Sequence, residues 1–166
     1  MSVLARIAAI WMLAAAPLLA QEGAPKKEKR TDAIRRIYEK DRAGTGDACR
    51  LFLAMDKGEP VEGEFEAVRK EAAERGLIDA GWELSEAAPV DKGTVAYMLV
   101  KALKIRGGLT MSIFGVTRRY AFRECVYLRL ISGGTPGENM TGRELIDVLT
   151  AAEAYKESGN LDEDRK

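Results

Sequence analysis

The chain has 166 residues, with 26 basic side chains, 26 acidic side chains and no histidine. Such an even balance gives no strong pull towards nucleic acid or an anionic surface, so no nucleic-acid partner and, after removal of a leader, no membrane partner are expected. The absent histidine removes Ser-His-Asp and Cys-His catalysis and histidine-ligated zinc, and no GxGxxG or Walker-type glycine loop is present.

Residues 1–20 have the layout of a secretory signal peptide. Arg6 precedes the apolar run "IAAIWMLAAAPLLA", which ends in small residues. Cleavage is expected between Ala20 and Gln21. An exported protein follows, placed in the periplasm or outside the cell. Residues 21–30, which include "KKEKR", read as a charged linker.

From residue 31 the apolar residues recur at helical spacing. "TDAIRRIYEKDRAG" forms a leading helix through Ile34, Ile37 and Tyr38, and "TGDACRLFLAM" follows with Ala48, Leu51, Phe52 and Met55 at i, i+3, i+4 and i+7. A second unit pairs "EFEAVRKEAAERGLI" (Phe65, Val68, Ala72, Leu77) with "GTVAYMLVKAL", whose stripe is Val95, Met98, Leu99 and Ala102. Gly76 is placed to end the first of those helices. A third pairs "RYAFRECVYLRLI" with "RELIDVLTAAEAY", whose stripe is Leu145, Val148, Leu149 and Ala152. Two leading helices end in Leu-Ile, at 77–78 and 130–131, and a Gly- and Pro-containing loop follows each. The second helix of each unit opens on a capping signal. Thr141 and Glu144 have the spacing of a capping box, in which each side chain satisfies a free N–H of the other's turn.

The segment "GGLTMSIFG" breaks this scheme. Leu109, Met111 and Ile113 alternate with Thr110, Ser112 and Phe114 between glycines, which predicts a short extended segment near 108–114. It would bridge the second and third units, or touch a membrane. Residues 157–166, containing "NLDEDRK", read as a disordered acidic tail.

The expected architecture is therefore all-α: one domain over 31–156 built of three stacked helix-loop-helix units, at about 31–57, 64–104 and 118–156. One such pair cannot bury its own apolar face, but stacked pairs bury one another's. Cys49 and Cys125 lie on apolar helical faces. In an exported chain they either pair as a disulfide or serve as small hydrophobes. Two isolated cysteines make no metal site, and neither a metal nor a cofactor is expected. Nearly all the carboxylates fall on polar helix faces, so no catalytic residue is assigned.

This arrangement resembles the bacterial S-layer homology repeat. There a second helix opens on a Thr-Arg-Ala-Glu-like tetrapeptide after an apolar residue. "APVDKGTVAYML" is similar, with Val90, then Asp91, Lys92 and Thr94 in the Thr, Arg and Glu places. "MTGRE" keeps Thr141 and Glu144, with Gly142 in the Arg place and Arg143 one position along. "GTGD" keeps the acid as Asp47, and Trp82 resembles the loop aromatic before the tetrapeptide. The resemblance implies a non-enzymatic cell-envelope module that binds or scaffolds, with anionic cell-wall polysaccharide or an envelope protein as partner. Lys92, Arg143, Trp82, Thr141 and Glu144 would then line a ligand groove. Two alternatives stand beside it: a protein-interaction module with an apolar groove, and a small secreted hydrolase using two carboxylates.

Overall fold

The structure, a computed structural model, describes residues 24–158. The expected signal peptide, with its cleavage point at Ala20 and Gln21, and the tail beyond 158 lie outside the described residues. Within them the chain is helical: α1 (Ala24–Tyr38), α2 (Thr45–Lys57), α3 (Phe65–Glu74), α4 (Lys92–Ala102), α5 (Leu109–Phe114), α6 (Arg118–Tyr127) and α7 (Gly142–Glu157). The described residues contain no strand, only isolated bridges between Gly44 and Pro89 and between Asp91 and Asn139.

The starts of α2, α4 and α7 meet in a closed ring of backbone hydrogen bonds. The Ala43 N–H donates to the Met140 carbonyl (2.9 Å), the Met140 N–H to the Val90 carbonyl (3.0 Å), and the Val90 N–H to the Ala43 carbonyl (2.9 Å). All three residues are buried. Each is both donor and acceptor, so no peptide group at the centre is left without a partner. Two residues further along each chain, a wider set of bonds repeats the pattern. The Thr45 N–H donates to Ala88 O (2.8 Å), Lys92 N–H to Glu138 O (2.9 Å), and Gly142 N–H to Lys40 O (2.9 Å).

Five residues after each ring residue stand Ala48, Val95 and Leu145, all at 0 % exposure. The three apolar stripes therefore leave the ring in the same register. Phe52, Leu99 and Leu149 follow four residues later and are also buried. The ends of α3 and α6 match as well. Gly76 (φ 71°) and Arg129 (φ 58°) take the left-handed conformation that turns the chain back. The next N–H groups, of Leu77 and Leu130, donate to Ala72 and Cys125 carbonyls (2.9 and 2.8 Å), and the Leu-Ile endings are buried.

Helix contacts differ from a stack of hairpins. The main partners are α3 with α2, α6 with α4, and α1 with α7. Each leading helix therefore lies against the capped helix of the preceding pair, and α1 closes the circle on α7. The connections from α3 to α4 (75–91) and from α6 to α7 (128–141) are long, and the ring bonds hold the chain at the start of each following helix.

Two further expectations change, and one open alternative is decided. Residues 24–30, expected as linker, are the first half of α1. Their Lys, Glu and Arg residues are good helix formers, and the helix is anchored downstream by buried Ile37. Residues 109–114, expected to be extended, form α5. Six residues are too few to separate the two periodicities, and the glycines at 107, 108 and 115 bracket a helical turn. Met111 is buried, while the adjacent Ile113 and Phe114 are both exposed, which alternation would not allow. Lastly, Cys49 and Cys125 are free, buried thiols and not a disulfide. The Cys125 Sγ lies 3.7 Å from the Ala96 carbonyl of α4. Burial pushes the two thiols up to about 11 and about 12.

Gly142 is the tightest point of the ring. A Cβ there would run into the carbonyl oxygen of Ile37 on α1. Gly142→Ala should therefore cost about 1–3 kcal/mol or more through overpacking, measured by urea unfolding. Gly137→Ala, where an added Cβ meets nothing within 4 Å, should change stability by less than about 0.5 kcal/mol.

Candidate functional site

The first turns of α4 and α7 and the loops entering them carry all the sequence-predicted site residues. The three helix starts use related but unequal arrangements of Thr and acid side chains. At α7, the Thr141 Oγ1 accepts from the Glu144 N–H (3.2 Å), and Glu144 Oε2 accepts from the Thr141 N–H (2.8 Å). At α4 the residue types are exchanged: Asp91 Oδ1 accepts from the Thr94 N–H (2.7 Å), and the Thr94 hydroxyl donates to Asp91 Oδ2 (3.1 Å). At α2 only the returning half exists. Asp47 accepts from the Gly44 N–H (3.1 Å) and from Lys40 Nζ (2.6 Å).

Lys92 is 3 % exposed. Its ammonium lies 3.0 Å from Glu138 Oε1 and 3.5 Å from Glu144 Oε1, and it donates to the Gly133 carbonyl at 3.1 Å. All three of its donors thus have partners, so Lys92 is a brace between the start of α4 and the loop and first turn of α7. Its placement corrects the expectation of a ligand-facing lysine. Thr141 and Glu144 are likewise occupied by capping and by Lys92. The Glu138 carboxyl is held below its ordinary 4.5, first by the Lys92 hydrogen bond. Glu144 is held below the same value, first by the Thr141 N–H. Both are therefore carboxylates matched to a cation, and neither is primed as a proton donor.

Arg143 projects to the other side of its helix start. Its guanidinium lies 5.0 Å from the Tyr38 ring centroid, and its Nε donates to the Tyr38 hydroxyl (2.7 Å). Trp82 belongs to a separate cluster. The Arg118 guanidinium sits 4.7 Å from its ring centroid, and the Tyr97 ring is 4.9 Å away at 58°. Lys101 in turn lies 5.4 Å from the Tyr97 centroid. Arg118 Nη1 also approaches Asp91 Oδ2 (3.6 Å) and the Thr94 hydroxyl (3.5 Å). Trp82 is therefore the bed on which Arg118 lies, and not an open platform for a sugar. It also borders an open depression of about 370 Å³ shared with Glu66, Arg69 and Ser85.

Thus Lys92, Thr141 and Glu144 come together as a structural cluster, while Arg143 and Trp82 each receive a partner that sequence reasoning missed. Arg118 follows Thr117, whose hydroxyl accepts the Tyr120 N–H (3.3 Å), so the cap before it was legible. Its distance of 36 positions from Trp82 concealed their stacking. Tyr97 lay between stripe positions, and only its contacts mark it. Among the described residues no group of three or more His, Cys, Asp or Glu side chains could hold a metal ion.

Lys92→Met should destabilise the fold by about 1.5–3 kcal/mol at neutral pH, the usual range for hydrogen bonds to a charged group. The acid dependence has a definite sign. Glu138 and Glu144 have folded-state pKa values depressed from 4.5, so their stabilisation is complete above 4.5 and fades as pH falls through the lower folded values. Urea melts across the acid range should show stability falling there in the parent chain and a shallower fall in Lys92→Met. An equal slope in both would remove the assigned coupling.

Comparison of the chain with protein-family profiles, with characterised proteins and with solved structures found no match.

Proposed function

We propose that the chain is an exported, non-enzymatic cell-envelope module, built of three cyclically joined helical units, that binds acidic polysaccharide through arginines held on aromatic rings. The repeat reading is supported by the ring of Ala43, Val90 and Met140 and by the common register of the stripes that follow. The export reading rests on the sequence pattern of residues 1–20.

The observation that carries the binding reading is Arg118. Its side chain is 51 % exposed, yet it is ordered over Trp82 and against Asp91. A guanidinium presents a planar fork of donors that fits a carboxylate or phosphate. The aromatic bed orients that fork while leaving much of it open to solvent. Asp91 screens the charge only in part, at 3.6 Å. Arg143 over Tyr38 repeats the device at the start of α7. Lys92 has no part in ligand contact in this reading, because its donors are already used.

The test is equilibrium binding of the full chain to an acidic and to a neutral cell-wall polysaccharide. The acidic polymer should bind, and Arg118→Ala should weaken it by roughly tenfold or more, since a charge-assisted pair contributes about 1.5–3 kcal/mol. Arg118→Lys should recover only part of the loss. Unchanged binding by an Arg118→Ala/Arg143→Ala double variant, or equal binding of the neutral polymer, would contradict the proposal.

A further inference from the structure

The chain-wide charge balance hides a segregated region. From Lys101 to Arg123 the sequence contains Lys101, Lys104, Arg106, Arg118, Arg119 and Arg123 and not one acid. In the middle of this run stands α5, whose end carries the most exposed pair of adjacent bulky apolar side chains described: Ile113 at 63 % and Phe114 at 66 %. Glycines flank it on both sides, with Gly107 at φ 68° and Gly115 at φ 75°. The helix is nevertheless tied down. Met111 is buried, and its side chain lies where any Cβ on Gly107 would have to go. The Gly108 N–H donates to Glu124 of α6 (3.3 Å), and the Phe114 ring lies 6.1 Å from that of Tyr120. The apolar pair is therefore held outward on a fixed tip.

We infer that α5 is a docking tip for an anionic lipid bilayer, with Ile113 and Phe114 entering the interface and the flanking bases meeting the headgroups. Lys104, Arg106, Arg119 and Arg123 are exposed. Arg118 and Arg119 follow Phe114 by four and five positions, so their backbone lies within about 18 Å of the tip at full extension. Two exposed side chains are far too small a patch for a stable protein interface, which covers roughly 800 Å² on each partner. They are the right size for a shallow anchor that penetrates about 5–10 Å into the headgroup and acyl boundary. A short apolar anchor alone gives marginal attachment, and a basic patch beside it supplies the second signal. No acid lies within the run, and Glu124 just beyond it is turned to the Gly108 N–H; that excess of bases is what selects a negatively charged surface over a neutral one. This inference goes beyond the polysaccharide reading and does not depend on it, since Arg118→Ala leaves the apolar tip intact.

The test places an environment-sensitive fluorophore on Ser112→Cys in the full chain, the native thiols being buried. A control carries the same dye on Ser132→Cys, in the loop after α6. Vesicles of phosphatidylcholine containing phosphatidylglycerol should brighten and blue-shift the probe at 112 and leave the one at 132 unchanged. Vesicles of phosphatidylcholine alone should give little response, and added salt should reverse the anionic one. Because each base near an anionic surface contributes about fivefold in partitioning, Arg119→Glu/Arg123→Glu should weaken binding by at least roughly tenfold. Ile113→Ser/Phe114→Ser should abolish the shift at 112. If circular dichroism shows that this apolar pair variant does not fold, the charge-reversal variant decides. A silent probe at 112, an equal response to neutral vesicles, or full binding by the charge-reversal variant overturns the inference. So does a probe that answers to soluble acidic polysaccharide and not to vesicles. The apolar run near the N-terminus is common to all variants and cannot produce a position-specific signal.

Discussion

Three hydrogen bonds between backbone groups of Ala43, Val90 and Met140 hold the beginnings of α2, α4 and α7 at one point. A buried peptide group without a partner is costly, and a helix start leaves its first N–H groups free. Here the chain meets both demands before each helix begins. The residue entering each helix pairs with its two counterparts; the first turns of α4 and α7 are then capped by Asp91 and Thr141, while at α2 the Thr45 and Gly46 N–H groups donate to the Ala88 and Glu86 carbonyls. Five residues beyond each ring residue, the three helices each bury a side chain completely, at Ala48, Val95 and Leu145.

The same constraint decides which charged residues are free to act elsewhere. Between α4 and α7 the junction is braced by Lys92, buried against Glu138 and Glu144. Between α7 and α2 the lysine position is taken by Gly142, because the backbone of α1 passes too close for any side chain. The cation arrives instead from Lys40, which meets Asp47 at 2.6 Å. Between α2 and α4, Arg50 meets Glu86 at the same distance. Of these cations only Lys92 is buried, and its donors are used up within the fold. Arg118 and Arg143 stand outside these braces, supported by aromatic rings.

How much of this the sequence disclosed follows the range of the interactions. The stripes and caps depend on residues three or four apart, and they were legible in "GTVAYMLVKAL" and "MTGRE". The order of the caps, with Asp91 and Thr94 exchanging the roles of Glu144 and Thr141, was legible for the same reason. Lys92 looked like a first-turn surface lysine because its partners lie 46 and 52 positions away. Arg118 and Trp82 are separated by 36 positions and share no local signal. The exchange of helix partners, α1 with α7 and α3 with α2, was hidden because matched stripes are satisfied equally by hairpins and by a cycle. In α5, six residues carried too little periodicity to separate helix from strand, and only the joint exposure of Ile113 and Phe114 distinguishes them.

Native-state amide hydrogen exchange at Ala43, Val90 and Met140 tests the closed ring most directly. If the ring is the element on which the fold depends, the three amides open only with global unfolding. Their exchange free energies then agree with one another and with the value from urea unfolding. Exchange of any one of them through a cheaper local opening, such as release of Ala43 together with α1, would contradict the account.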